Sequence, residues 1–506
     1  MKRITKGAIA LILCSVLLLL FQDERLFVAR DDNATTMTTS KRKTNSDDTS
    51  LAKAMEAVVR LLLPEERVEP YLQELPKEFR FFVYDSLPSN WTWQYFSTCI
   101  EQRYNVPDWF HHVQNAPPNP RNRTSNCDWG ASICSQTQSS SSSYSSRRFN
   151  RNGDVVLSKL FTEYRGSSRT FDAQDADVFL VPYPSTAHCA CVSDKAKCWA
   201  VKEVDIQQHV LANLPFLTDD NLEKHVFLSS VQRDFNHPFM MRMPLLLSLE
   251  MTHDVCPIGE NCGHILQPYV NTNADYQPNH MNLTPGLKDR RYAVTAFMSG
   301  NIGERSFRLR YDFLNALSKM QANNTTMGGL PVYVGHLNNR MMDNETAILE
   351  KYRESIFCPC LRGNTPAQKR FFDVLMSGCI PVVIEYASSK EEGYPSFFKK
   401  HETSIRLSYP FAKGMFLGEP DMGIDYHDLV VTVNSTCGMD CMLARLEELI
   451  INHPEEISAK QQRISELAQL FSYGQEDNAL QYPDAVAAML VQIRHYVSKL
   501  TSHSRQ

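Results

Sequence analysis

The sequence predicts an α/β protein built on two successive, largely parallel sheets, and three observations carry that expectation. Short β-branched and aromatic runs alternate with helical periodicity in the first half: residues 79–85 (FRFFVYD), 178–184 (VFLVPYP) and 226–231 (VFLSSV). A second alternation begins at Tyr292 and runs through YAVTAFMSG, SFRLRYDFLNALSKM, GGLPVYVG, SIFCPC, TPAQKRFFDVLMSG and IPVVIEY. The length, 506 residues, suits two to three domains with full cores. Two tandem Rossmann-like units satisfy all three.

Taken in chain order, residues 8–21 (AIALILCSVLLLLF) follow Lys2, Arg3 and Lys6 and end without a small-x-small cleavage site. The run predicts an uncleaved signal anchor with residues 1–7 as cytosolic tail, by the positive-inside rule. Residues 22–78 read as a stem, polar and aperiodic at first. Within it LAKAMEAVVRLLL (51–63) is helical, able to pack on the body or to self-associate, which leaves homo- or heterodimerisation open. Compact structure is expected from near Phe79, with a first Rossmann-like domain over 79–275 that holds a Pro- and Ser-rich surface loop at 115–146. A Pro-rich crossing (276–285) leads to the second domain, 286–452, and C-terminal helices follow to 506.

Charge and cysteine usage narrow the function. Lys+Arg number 52 against 57 Asp+Glu, without the basic excess a nucleic-acid partner requires. Eight N-x-S/T sequons and the closely spaced pairs Cys127/Cys134, Cys256/Cys262 and Cys437/Cys441 fit a lumenal protein with local disulfides. Cys358 and Cys360 sit in an expected buried strand and read as small hydrophobes.

The densest chemical signal lies in residues 355–385. Thr365-Pro366-Ala367-Gln368 has the capping-box pattern, with Thr365 as N-cap and Pro366 opening the helix, while Gly378 supplies a left-handed C-cap. Ala367, Phe371, Val374 and Leu375 share a face aimed at the sheet, with Arg370, Asp373 and Ser377 on its flank. A strand, a turn at Gly363 and a helix start beside Arg362 and Arg370 form an arrangement that can hold a diphosphate. On the bland reading, Arg370 pairs with Asp373 on the helix surface.

Phe357-Cys358, Gly363, Arg370, Asp373 and Gly378-Cys379-Ile380-Pro381-Val382 stand in register with the C-terminal signature of the exostosin-type glycosyltransferases, which the chain resembles. Residues 170–182 (TFDAQDADVFLVP) are similar to the family's T-x-D-P-x-x-A-D-x-F-x-V-P, and Phe82-Val83-Tyr84-Asp85 and Arg308-x-Arg310 add weaker matches in the same order. Leu361 replaces a usual proline, Gln368 a usual serine, and Leu222-Glu223-Lys224-His225 the expected G-x-D-H. The resemblance implies a GT-B architecture behind an N-terminal membrane anchor and stem, and a type II position in Golgi membranes. It also implies inverting transfer from a nucleotide sugar, expected to be a UDP-sugar, to a glycan, glycoprotein or polysaccharide acceptor. By position, the donor would be bound by Gly363, Thr365 and Arg370, with Asp373 near the nucleoside and Arg308 a second diphosphate contact for which Arg305 and Arg310 compete. A catalytically inactive lumenal partner of the same fold is the alternative.

No metal site is expected. Asp175-Ala176-Asp177 is a D-x-D that precedes its strand, and His188, Cys189, Cys191 and Cys198 lack a standard zinc spacing. The general base is not identified: Asp85, His188 and His225 fall near strand ends of the first domain.

Overall fold

The computed structural model describes residues 48–75, 78–85, 87–88, 92–104, 153–184, 210–228, 245–249, 263–269, 289–298, 308–336, 345–361, 368–385, 408–434, 436–473 and 483–503. The chain divides into residues 1–45 and residues 46–506, and only the second unit contains described residues. The expected anchor at 8–21 lies outside them. Among the described residues no helix is long and apolar enough to cross a membrane.

The first sheet holds β1 (Phe81–Val83), β2 (Arg169–Thr170), β3 (Val178–Val181), β4 (His225–Leu228), β5 (Leu245–Ser248) and β6 (His264–Leu266). They stand in the order β2-β1-β3-β4-β5-β6, every pair parallel. The helices here are α1 (Asp48–Leu62), α2 (Glu65–Glu74), α3 (Trp93–Tyr104) and α4 (Gly153–Glu163). β3, β4 and β5 are buried at every position, which is why they read as continuous apolar runs.

The second sheet holds β7 (Tyr292–Met298), β8 (Thr326–Met327), β9 (Leu330–His336), β10 (Ser355–Pro359), β11 (Ile380–Glu385) and β12 (Val431–Asn434), in the order β12-β11-β10-β7-β9-β8. All pairs are parallel except the β8–β9 hairpin, whose two-residue turn puts Gly328 and Gly329 at positive φ, 57° and 81°. Between these strands lie α5 (Arg308–Ala322), α6 (Glu345–Arg353) and α7 (Lys369–Met376), and after them α8 (Met439–Asn452), α9 (Pro454–Leu467) and α10 (Ala485–His503). In both sheets the first strand, β1 or β7, is flanked by the next parallel strand on one side and a later one on the other. That reversal of direction makes a topological switch point in each, the α/β organisation expected of two Rossmann-like units.

The helix at 51–63, left open by the sequence, packs on the body. Leu51, Ala54, Met55, Val58, Val59 and Leu62 form one stripe of α1, all buried, and α1 lies along α10, which in turn reaches β6. The carbonyl of Leu62 accepts a hydrogen bond from Gly423 N–H at 2.8 Å. Gly423 has φ 106°, and a Cβ there would meet the Phe411 carbonyl oxygen at 2.6 Å, so this close approach requires glycine. Packed structure therefore includes residues 48–75, which the sequence places in the stem ahead of Phe79. An apolar stripe states that a helix face is covered and not by what.

Cys437–Cys441 is a disulfide, as its spacing suggests. Cys358 departs from expectation: it is bridged to Cys379, 21 residues later. Parallel pairing explains this, because β10 and β11 set Phe357 opposite Ile380 and bring the two cysteines together across the sheet. Cys360 remains a free, buried thiol, pushed up to about 12 by burial, and so stays protonated and unreactive. The pairs Cys127/Cys134 and Cys256/Cys262 lie outside the described residues, as do His188, Cys189, Cys191 and Cys198.

Candidate active site at the C-terminal switch point

β10 is buried along its whole length and passes through Cys360 and Leu361 towards α7. The helix starts at Lys369, with Gln368 the extended residue before it at φ −144° and ψ 142°. The capping-box reading of Thr365 and Pro366 thus opens the helix too early. Gly363 and Thr365 lie outside the described residues. The far end follows the sequence: Gly378 has φ 68°, Gly378 N–H bonds the Leu375 carbonyl (2.9 Å) and Cys379 N–H bonds that of Val374 (3.2 Å), a Schellman closure.

Phe371, Val374 and Leu375 are buried as expected. Asp373 and Ser377, placed by periodicity on the flank, are buried too. The Lys369 ammonium meets the Asp373 carboxylate at 2.7 Å, with both side chains only 10% exposed, and Ser377 Oγ donates to the Asp373 carbonyl at 2.7 Å. Asp373 is therefore paired one turn back along the helix. The surface pair with Arg370 is not formed, and Arg370 makes no ion pair among the described residues. Its Nη1 donates to Gln368 Oε1 at 3.5 Å.

Topology brings the two basic helix starts to one edge. The chain leaves the carboxyl end of β7 to enter α5 at Arg308, and leaves the adjacent β10 to enter α7 at Lys369. Arg308 and Arg370 thus begin the two connections that flank the switch point, where open α/β sheets bind ligands. A described contact joins the connections: the buried Arg310 donates from Nη2 to the Leu361 carbonyl at 3.2 Å, and Gln368 donates from Nε2 to the same oxygen at 2.7 Å. Arg310, one of three arginines that compete in the sequence for a diphosphate contact, is committed to the protein's own backbone. Gln368 carried no site signal in the sequence beyond its departure from the usual serine.

The first sheet places its polar candidates differently. Asp85, just past β1, forms an ion pair with Arg169, whose guanidinium also donates to the carbonyls of Thr162 (2.6 Å) and Tyr164 (3.1 Å) at the end of α4. His225 stands at the amino end of β4, away from the carboxyl edge. Its Nδ1 lies 3.0 Å from the Asn221 carbonyl, which can only accept, so Nδ1 carries the hydrogen and Nε2 accepts from the Tyr84 hydroxyl at 2.8 Å. The ring stacks on Phe179 at 4.6 Å, and burial pushes its pKa down to about 4. His225 is a neutral core residue.

Asp175 and Asp177 lie at the same amino edge. Asp177 accepts from Arg80 N–H at 2.8 Å, and Asp175 pairs with the Arg80 guanidinium at 3.5 Å. Among the described residues no group of three or more His, Cys, Asp or Glu side chains is placed to hold a metal.

No curated protein matches the chain. The family model of the exostosin GT47 domain matches residues 76–409, which take in both sheets from β1 to β11. With well over half its length matched, and with a two-sheet α/β fold that fits a GT-B-like enzyme, this chain belongs to the exostosin GT47 family and is an exostosin-type glycosyltransferase.

Proposed function

We propose that this glycosyltransferase takes a nucleotide sugar, a UDP-sugar, at the carboxyl edge of the C-terminal sheet and transfers the sugar with inversion to a glycan, glycoprotein or polysaccharide acceptor. The observation that carries the reading is Arg370. It is half-buried at the second position of α7, beside the switch point, with its charge uncommitted to any ion pair among the described residues. At that place a guanidinium and the first N–H groups of the helix can meet a diphosphate together.

In an inverting transfer the acceptor hydroxyl oxygen attacks the anomeric carbon from the side opposite the diphosphate. The new C–O bond forms as the bond to the diphosphate oxygen breaks, and a base takes the hydroxyl proton. The negative charge that grows on the leaving diphosphate is the quantity Arg370, with Arg308, would stabilise. On this proposal no metal is required. Asp85 and His225 are both engaged in structural bonds, which argues against either as the base.

Residence in the Golgi lumen behind a type II anchor is part of the proposal. It is supported by the disulfides Cys358–Cys379 and Cys437–Cys441 and by the exposure of the sequon residues Asn323, Asn324 and Asn434.

The test is calorimetric titration of UDP, GDP and their sugars into the full chain and its Arg370→Ala variant. A charge-assisted contact contributes roughly 1.5–3 kcal/mol, so the variant should bind about ten- to a hundredfold more weakly, with Arg370→Lys recovering part of the loss. Unchanged affinity in a folded Arg370→Ala protein would remove the donor site from this edge. Sugar release or transfer by the wild type separates an active enzyme from a binding partner of the same fold.

A further inference from the structure

We infer that Gln368 is a positioning residue for Arg370, and that the Leu361 carbonyl, held from two sides by Arg310 and Gln368, is the fixed point from which it acts. The inference rests on the donor-site reading above.

The orientation of the Gln368 amide follows from chemistry. Its partner at 2.7 Å is a backbone carbonyl, which offers no hydrogen, so the NH₂ end must face Leu361 and the oxygen end must face away. That oxygen is the atom 3.5 Å from Arg370 Nη1. A 3.5 Å contact is weak; it orients the guanidinium more than it holds it, and leaves its other N–H groups for an anion.

The Leu361 carbonyl is itself anchored. It lies immediately past β10 and is fully buried with its residue. Arg310, only 9% exposed, reaches it from α5, 51 residues earlier in the chain. A buried guanidinium is costly unless its hydrogens are met, so Arg310 keeps this carbonyl in place from the α5 side. Both lone pairs of the oxygen are then used, one by each side of the switch point. The chain of contacts Arg310, Leu361 carbonyl, Gln368, Arg370 thereby sets the start of α7 against the start of α5. Serine at position 368 would be too short to touch both neighbours.

The experiment is a double-mutant cycle on the full chain, with UDP and GDP as calorimetric probes. Gln368→Met keeps the length and removes both polar ends. In the wild-type background it should weaken nucleoside-diphosphate binding by about three- to tenfold, the scale of one lost hydrogen bond acting through a charge. In an Arg370→Ala background the same change should have no further effect, because Gln368 acts through Arg370. Gln368→Glu should weaken binding more than Gln368→Met in the wild-type background, since a carboxylate repels the Leu361 carbonyl and competes with the diphosphate for Arg370.

A loss that is equal in both backgrounds would assign Gln368 a structural role and overturn the inference. So would unaltered affinity in Gln368→Met alongside a clear loss in Arg370→Ala. If Arg370→Ala itself binds normally, the donor-site reading fails first and the positioning role fails with it. Should Gln368→Met not fold, Gln368→Asn, which keeps the amide but cannot span both contacts, reads the same coupling.

Discussion

In the C-terminal sheet helices from between its own strands pack close by, α5 on β7 and β9, α6 on β10 and α7 on β11, and the helices that follow its last strand, α8 and α9, add contacts to β8 and β11. A disulfide ties β10 to the residue ahead of β11. The N-terminal sheet likewise takes α4, from between β1 and β2, onto β4, but its edge strand is covered from a distance. Its last strand, β6, is met by α10, the final helix of the chain, and α1 from the other end lies along α10. The exostosin match, residues 76–409, stops short of both of these helices. The family match thus covers the part that would bind donor, and leaves out elements that complete both halves: α1 and α10, and β12, α8 and α9 of the C-terminal half.

The largest effect should come from breaking this long-range cover. Each buried Leu, Val or Met of the α1 stripe contributes roughly 1.5–3 kcal/mol, and together they rival the ~5–15 kcal/mol net stability of a typical domain. A chain begun at residue 70 behind a heterologous secretion signal, which keeps everything the family match contains, should therefore fail to fold or to be secreted. One begun at residue 47, given the same heterologous secretion signal, should be secreted and melt cooperatively. Equal yields and melting temperatures for the two would show that α1 is dispensable and the halves are alike.

Acid should expose the same asymmetry. His225 on β4, His264 on β6 and His495 on α10 all have pKa values pushed down to about 4 by burial, with Lys499 adding to the effect at His495. Unfolded histidines bind a proton near pH 6.5, so between about 6.5 and 4 the unfolded chain binds more protons and stability falls as pH drops. Each group removes at most about 1.4 kcal/mol per pH unit across that window. All three belong to the N-terminal sheet or to the helix that finishes it. Urea melts from pH 7 to pH 4.5 should show this loss, and His225→Gln, which keeps an acceptor for Tyr84, should flatten the profile. A pH-independent midpoint would contradict the burial of these rings.

How much of this the sequence foretells depends on how local each determinant is. The strands β7, β9, β10 and β11 and the Gly378 cap are written in contiguous residues, and each is found in place, whereas the two-residue β8 is not foreseen. The start of α7 is misread because Thr365-Pro366 carries a capping pattern that competes with the actual start at Lys369. Periodicity likewise leaves Asp373 on a flank, although Lys369 lets it be buried as a pair. Non-local partners are illegible from one chain: Cys358 with Cys379, Arg310 with the Leu361 carbonyl, α1 with α10. Of the proposed donor site, the arginine at the helix start is legible in the sequence, and the backbone carbonyl beside it, met by Arg310 and Gln368, is not.

The smallest expected effect separates the edges of the N-terminal sheet. Asp175 and Asp177 have the spacing of a metal-binding D-x-D, yet both stand at the amino ends of β1 and β3, bonded to Arg80, on the side away from the carboxyl edges. Asp177→Ala removes the acceptor for Arg80 N–H and should cost ~1 kcal/mol, the usual value of one such bond. Asp175→Ala opens a solvent-exposed ion pair and should change stability by only a few tenths of a kcal/mol. Neither should alter nucleoside-diphosphate affinity, and EDTA should leave that affinity where it was, because both carboxylates are engaged by Arg80 at the amino edge and the proposed donor site at the start of α7 uses neither. Denaturant melts check the first expectation and calorimetry with UDP the second. Binding abolished by EDTA, restored by Mn²⁺ and lost in Asp177→Ala would mean that the amino-edge carboxylates reach the donor, and the two sheets would then share one site.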